Sequence, residues 1–380
     1  MSLGNPLGNP LGNPLGLERS AGNGSAIGDI VTRLAPPSGQ FIEADGRQLS
    51  KAMYPKLFAA IGDAYSVADF SAGFTVVTLS ASSTWVSIAY GNGLFVAISV
   101  AGLVSVSADL GATWQAGAAL PTGTWKAIAF TNGKFFAIAS GLGSVATSSD
   151  GGSWTLIALP SASTWSSICA GGGVIIIASG VGGIGATARS VDGGNSWLAG
   201  GSSTRNAPLA LAYGAGVFVA VETGSATTNA VSSPDGITWT ARTLPVSAVW
   251  SSVAYGNGVF VAVSDGAAVG AISVDGIAWS AISLPAGLSN LCFGAGMFIA
   301  TLVTTNSTSA YVTKSGQSWQ AVTLPAAGQW GATSFGSGVF VSLRNNLAAG
   351  ARINVFSATN FNIPLIKPGD ALHTAYIKVA

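Results

Sequence analysis

The chain has 380 residues, 49% apolar and only 8% charged, with a formal net charge of +1. Typical soluble chains carry about 25% charged residues, so this composition excludes disorder over most of the length. It also lacks the basic clusters that a nucleic-acid partner requires.

Residues 1–20 repeat Leu-Gly-Asn-Pro from Leu3, Leu7 and Leu11 and start again at Leu15. Such low-complexity sequence does not fold alone. It reads as an extended segment that docks into a larger assembly, or as an addition to the chain. No basic stretch followed by an apolar core marks a signal peptide here. Gly28-Asp29-Ile30 then begins a short strand. Pro36-Pro37-Ser38-Gly39 is turn chemistry, and Phe41 to Gly46 is a strand running into another turn. Tyr54 to Gly62 reads as a short helix, with Pro55 in its first turn, Leu57, Phe58 and Ile61 on one apolar face, and Gly62 to end it.

From residue 85 a repeat takes over. Trp-x-x-Ile-Ala-Tyr-Gly-Asn-Gly-x-Phe-Val-Ala appears, with substitutions, at Trp85, Trp125 and Trp250. Weaker copies start at Trp165, Pro208, Leu288 and Trp330, giving spacings of 40, 40, 43, 42, 38 and 42 residues. That is the period of four-stranded propeller blades. Each copy reads as strand a from the tryptophan, a Gly-Asn-Gly turn, strand b, strand c, a Ser-x-Asp hairpin, and strand d from a second tryptophan to Leu-Pro. The hairpin reads Ser107 to Trp114 in blade 1 and Ser190 to Trp197 in blade 3, with shorter versions in blades 2, 4 and 5. Its aspartates are Asp109, Asp150, Asp192, Asp235 and Asp275, each placed to cap backbone N–H groups of its own turn. All eleven tryptophans fall at the head of strand a or strand d, which favours packing between blades over sugar stacking.

The seventh copy lacks a clear strand d, and Phe74 to Leu79, ahead of blade 1, has the required spacing. The expected fold is therefore an all-β seven-bladed β-propeller whose last blade is closed by an N-terminal strand, leaving no open sheet edge. The alternative is that Val355 to Pro364 supplies the closing strand. Cys169 and Cys292 take equivalent strand-a positions three blades apart. A disulfide needs Cα atoms within about 7 Å, so both are expected as buried free thiols. Ser166 to Ala188 contains no charged residue, but it is rich in glycine and assigned to strands, so membrane insertion is not expected.

Two resemblances follow from these residues. The hairpins of blades 1 and 3 fit the Ser-x-Asp-x-Gly-x-Thr/Ser-Trp pattern, which resembles the Asp box (BNR-like repeat) of sialidases, in which it is a structural turn. Gly28-Asp29-Ile30, Pro36-Pro37-x-Gly39, the Asp45-Gly46 turn and Tyr54-Pro55-x-Leu57-Phe58-x-x-Ile61-Gly62-x-x-Tyr65 together resemble the phage tail-collar domain. Phe361-Asn362-Ile363-Pro364 and Tyr376 to Val379 resemble its ending, whereas Leu365-Ile366-Lys367 departs from it. The resemblance implies a propeller at residues 71–356 inserted into a split small α+β collar-like domain, 28–70 plus 357–380, after an extended segment, 1–27. It also implies a non-catalytic tail-fibre adhesin on the virion, homotrimeric, with tail or baseplate proteins and a host cell-surface receptor, glycan or protein, as partners.

Catalysis finds little support in the residues. The propeller has one glutamate, Glu222; its arginines are scattered, and of its aspartates only Asp265 lies outside the hairpins. General acid–base work needs convergent carboxylates. Gly180 to Gly185 has nucleotide-loop spacing without a following helix. The single histidine, His373, reads as a surface or interface residue, and two cysteines with one histidine make no zinc site. No cofactor and no metal are expected. The b–c connections vary most, and variable loops on a rigid scaffold are where binding concentrates. The candidate ligand-binding residues are Glu222, Asp265, Asn306, Arg344, Asn345 and Asn346. Two further readings stay open: a sialidase-like hydrolase of host polysaccharide, and a purely structural baseplate component.

Overall fold

The computed structural model describes residues 30–33, 41–45, 47–61, 63, 66, 68–179, 186–201, 208–223, 225–303, 306–345, 347–356, 360–362 and 374–378. The chain divides into two compact units at Asp69/Phe70 and Val355/Phe356. The first draws on both ends of the chain. Its strands β1 (Ile30–Arg33) and β2 (Phe41–Glu43) pair antiparallel on either side of the C-terminal strand Thr374–Lys378. β3 (Gln48–Ser50) pairs with Asn360–Asn362, and helix α1 (Pro55–Ile61) buries Leu57 and Ile61. Phe58 is half-buried, with the Lys51 ammonium 4.2 Å above its ring. No described helix is long and apolar enough to cross a membrane.

The second unit is a seven-bladed propeller. Its first strands (a) are Trp85–Gly91, Thr124–Thr131, Trp165–Gly171, Pro208–Gly214, Trp250–Gly256, Asn290–Gly294 and Trp330–Gly336. Each heads a sheet ordered a-b-c-d, and each touches the next first strand round to the seventh against the first. The strand at d in blade 7 is Thr75–Thr78, paired antiparallel with Ala349–Asn354. Phe74 and Leu79 beside it are buried. The closing strand is thus the one ahead of blade 1, and the segment after Val355 instead pairs with β3.

Strand b is the hydrophobic centre of each blade. In blade 1, Phe95, Val96, Ala97, Ile98 and Ser99 are all fully buried. The tryptophans heading strand a are 0 or 1% exposed and donate their indole N–H to a carbonyl, as Trp125 does to Pro121 at 2.9 Å and Trp250 to Thr227 at 2.8 Å. They are core residues with no face left for a ligand. Strand d begins one residue after its tryptophan and is longer than expected in blades 4 and 6, Thr240–Ala248 and Gln320–Gly328. There it continues through Leu-Pro with a register shift, and the prolines Pro245 and Pro325 fall in the shifted segment of an outer strand, where no ladder pair needs their missing N–H.

The innermost ring is set by one repeated contact. Strand a ends in an aromatic residue and then glycine, and the aromatic ring of each blade lies on the glycine of the blade before it. A side chain on Gly91, Gly171, Gly214, Gly256, Gly294 or Gly336 would overlap Phe130, Tyr213, Tyr255, Phe293, Phe335 or Tyr90 respectively. None of these glycines has a left-handed φ. Within each such blade the ring also packs on the strand-b phenylalanine, at 4.7 or 4.8 Å between centroids. The junction of blades 2 and 3 departs on both sides together: Thr131 replaces the glycine and Ala170 the aromatic, with Ile175 opposite Ala170. At the closing junction Tyr90 adds a 2.6 Å hydrogen bond between its hydroxyl and Ser337 Oγ.

The turn asparagines add a second latch. Asn92 and Asn257 take left-handed φ values of 50° and 48°, which a two-residue hairpin needs. Their amides donate into the next blade, Asn92 to the carbonyls of Gly133 and Ser149, each at 3.0 Å. Asn257 does the same to Gly296 and Lys314 at 2.8 and 2.9 Å.

Overpacking a site of this kind costs about 1–3 kcal/mol. Gly336→Ala is therefore expected to destabilise the propeller by about that amount, while Gly143→Ala, whose new methyl meets its first neighbour at 3.6 Å, stays within about 0.5 kcal/mol of the parent. Ala170→Phe alone should destabilise, and Thr131→Gly should restore that loss; thermal or denaturant unfolding checks all four.

Candidate ligand-binding face

Because strands alternate in direction, each propeller face collects one kind of connection. The a–b turns and c–d hairpins share one face. The b–c connections share the other, where strand a begins.

The hairpin aspartates are tied into their own turns. Asp109 accepts from the Thr113 N–H at 2.9 Å, the Thr113 hydroxyl at 2.6 Å and the Ser107 hydroxyl at 2.8 Å. Asp192 repeats this with the Ser190 and Ser196 hydroxyls at 2.7 and 2.6 Å. Asp235 and Asp275 each accept two N–H groups, from Ile237 and Thr238 and from Ile277 and Ala278. Asp150 accepts the Gly152 N–H at 2.7 Å. Partial burial opposes ionisation at Asp109, but its hydrogen bonds from Thr113 and Ser107 prevail and bring its pKa to about 2. The Ser196 hydroxyl chiefly lowers Asp192, the Thr238 N–H Asp235, and the Ile237-equivalent Ile277 N–H Asp275. Asp109, Asp192, Asp235 and Asp275 are thus held ionised as acceptors, the opposite of what a general acid needs. Asp109 and Asp150 also line a groove of about 410 Å³ with Leu94, Val106 and Gln115, on this hairpin face.

On the b–c face, the last residue of strand b is usually a buried serine or threonine that braces its loop. Ser99 Oγ accepts the Leu103 N–H at 3.0 Å, and Ser264 Oγ donates to the Val269 carbonyl at 2.6 Å. Glu222 and Arg344 occupy this same register in blades 4 and 7, so they end strands rather than lying in loops. Glu222 accepts the Asn229 amide at 2.6 Å. Arg344 donates to the Ala327 carbonyl, and its guanidinium carbon sits 5.8 Å from the Trp330 ring centroid. Both hold neighbouring backbone or loop in place.

The next residue belongs to the inner rim. Asp265 N–H donates to the Val249 carbonyl at 2.8 Å, and its side chain accepts the Ser289 hydroxyl at 3.1 Å. Asn345 N–H donates to the Gln329 carbonyl at 2.9 Å, and its side-chain oxygen lies where a Gly331 side chain would be. Asn306 is exposed, and Asn346 lies outside the described residues, as do His373, Arg205 and Gly180 to Gly185. The described candidates therefore share a face without converging on one point.

Sequence reasoning passed over Lys126. The residue following the first position of the repeat is Val86, Lys126, Ser166, Ser251, Ser289 or Gly331 in six of the blades, and Lys126 is exposed there. The signal was present as a lone charge in an otherwise uncharged column of the repeat. Cys169 and Cys292 are free but half-buried rather than buried, because strand a borders the centre of the ring. Burial of the thiols still pushes both up to about 12. Among the described residues no group of three or more His, Cys, Asp or Glu could hold a metal.

Comparison with known proteins agrees with this architecture. Residues 29–76 match the Phage Tail Collar Domain, and residues 202–329 match the DUF6242 beta propeller domain. The collar match suggests a phage tail protein. No curated protein matches the chain. Among solved structures, virginiamycin B lyase from Staphylococcus aureus shares the fold at 12% identity and TM-score 0.64, over 74% of this chain and 99% of that one. YCF48 bound to D1 peptide does so at 17% identity and TM-score 0.61, over 77% and 100%. YCF48 from Cyanidioschyzon merolae follows at 16% identity and TM-score 0.58, over 74% and 99%.

Two outcomes test this account of the side chains. A carboxylate whose folded pKa lies below its unfolded value of about 3.9 stabilises above that value and loses the contribution as pH falls through the folded pKa. Stability should therefore be flat from pH 7 to about 5 and fall from about pH 4 towards 2, and Asp109→Asn should shrink that fall, measured by urea unfolding against pH. With thiols raised to about 12, native protein at pH 8 should resist alkylation at Cys169 and Cys292, and unfolded protein should label at both, read by mass spectrometry.

Proposed function

We propose that this is a tail-fibre receptor-binding protein whose propeller attaches to the bacterial host surface through its b–c face, without changing what it binds. The observation that carries the reading is the collar match at residues 29–76 on a chain whose bulk is a closed, rigid ring. A collar unit suits attachment within the tail, and the ring presents loops that differ from blade to blade while its turns and hairpins repeat. In this reading residues 28–70 and 357–380 form the tail-facing domain, residues 71–356 form the receptor module, and the fibre is a homotrimer on the virion.

Non-catalytic binding is the better fit to the side chains. The hairpin carboxylates are committed to turns, and on the b–c face Glu222 and Asp265 are engaged by Asn229 and Ser289 in different blades. The lyases that share the fold do so at 12 or 13% identity, which carries the fold and not the chemistry.

Labelled protein incubated with a panel of bacterial strains should adsorb to some of them and release no reducing sugar. Sugar release would instead make it a glycan-cleaving enzyme. Neither adsorption nor release across the panel would leave a structural baseplate role.

A further inference from the structure

The charges of the b–c face are separated by side. Among its described residues the cations are Lys126 in blade 2 and Arg344 in blade 7, whereas the carboxylates are Glu222 in blade 4 and Asp265 in blade 5. Blades 7, 1 and 2 are consecutive round the closed ring, so among the described residues the cations fall in one sector and the carboxylates in the sector across from it.

The positive sector also has the surface character of a binding site. Trp125 N–H donates to the Val100 carbonyl at 3.0 Å, and Leu120 N–H to the Gly102 carbonyl at 2.8 Å, so the b–c loop of blade 1 lies against the start of strand a in blade 2. That loop presents Leu103, 40% exposed, beside the segment that carries Lys126. Blade 7, on the other flank, presents Asn345 at the inner rim and Leu347, 41% exposed. Arg344 is committed to the Ala327 carbonyl and to Trp330, whereas Lys126 is exposed. Two apolar side chains, one amide and one ammonium therefore share three adjacent blades.

We infer that this sector, centred on blade 1, binds an anionic sugar unit of a surface glycan, with Lys126 as the charge partner of its carboxylate or phosphate. The inference rests on the adhesin reading above and deepens it. The strand-a tryptophans are buried and offer no ring for sugar stacking, so among the described residues of this sector recognition falls to charge, hydrogen bonding and the two leucines. Glu222 and Asp265 repel an anion from the opposite sector, which orients the ligand. An exposed charge pair is weak singly and screened by salt, and repetition along a polymer multiplies it.

The test uses the full chain, its Lys126→Gln and Lys126→Arg variants, and Lys314→Gln on the opposite face as a control. Binding is measured to immobilised polygalacturonate, poly(glycerol phosphate) and neutral dextran at low and high salt, with cell adsorption measured in parallel. Expected are binding to at least one of the two anionic polymers and none to dextran, weakening with salt, and a loss of about three- to fivefold for Lys126→Gln. Lys126→Arg and Lys314→Gln should stay near the parent, and all four proteins should melt alike. Which polymer binds identifies carboxylate or phosphate as the recognised group. Binding to neither polymer, equal binding to dextran, or an undiminished Lys126→Gln overturns the inference. If the parent adsorbs to cells and Lys126→Gln adsorbs equally, this site falls and the adhesin reading stands. If polymer binding depends on Lys126 but no strain adsorbs the protein, the site stands and the adhesin reading falls.

Discussion

An aromatic ring laid on a neighbour's glycine is the contact on which the propeller depends. It brings the first strands of successive blades close enough to touch, and it recurs at six of the seven junctions. Everything outside that ring hangs on it. Strands b, c and d extend outward from a first strand whose position is set by its neighbour, so an error at one junction would be carried to the blade beyond. The exception supports the rule, since Thr131 and Ala170 change together at the one junction that lacks the contact. A larger residue at the glycine position is accommodated by a smaller one at the aromatic position.

Closure is the second half of the same constraint. A ring held by identical steps still needs its last step to join the first. Here Gly336 receives Tyr90 as any other junction would, while Thr75–Thr78 completes the seventh sheet from the other end of the repeat. The chain therefore enters and leaves the propeller on adjacent strands of one blade. That geometry lets a propeller stand between two segments that pair with each other, as β2 and Thr374–Lys378 do.

The fold was legible in the sequence because its determinants repeat. Spacing gave the blades, and the missing strand d of the seventh copy pointed back to Phe74 to Leu79. What was not legible depends on contacts between copies. Gly91 reads as part of a turn, but it ends a strand and is glycine because Phe130 covers it. Glu222 and Arg344 read as loop residues, but they stand in the register of a buried serine, which only strand pairing reveals. Lys126 went unremarked because a single lysine carries no motif; its meaning comes from where Arg344, Glu222 and Asp265 fall round the ring. The hairpin aspartates, by contrast, act within a few residues of themselves, and their capping role was readable directly.

The claim that the ring is closed by the strand ahead of blade 1 is tested most directly by amide hydrogen exchange in the native protein. Local opening exposes amides in proportion to how weakly their segment is held. The amides of Thr75–Thr78 that face Ala349–Asn354 should be protected to the same degree as those of the other outer strands and should be lost together with blade 7. Exchange of Thr75–Thr78 at the rate of free peptide, while blades 1 to 6 remain protected, would contradict the account.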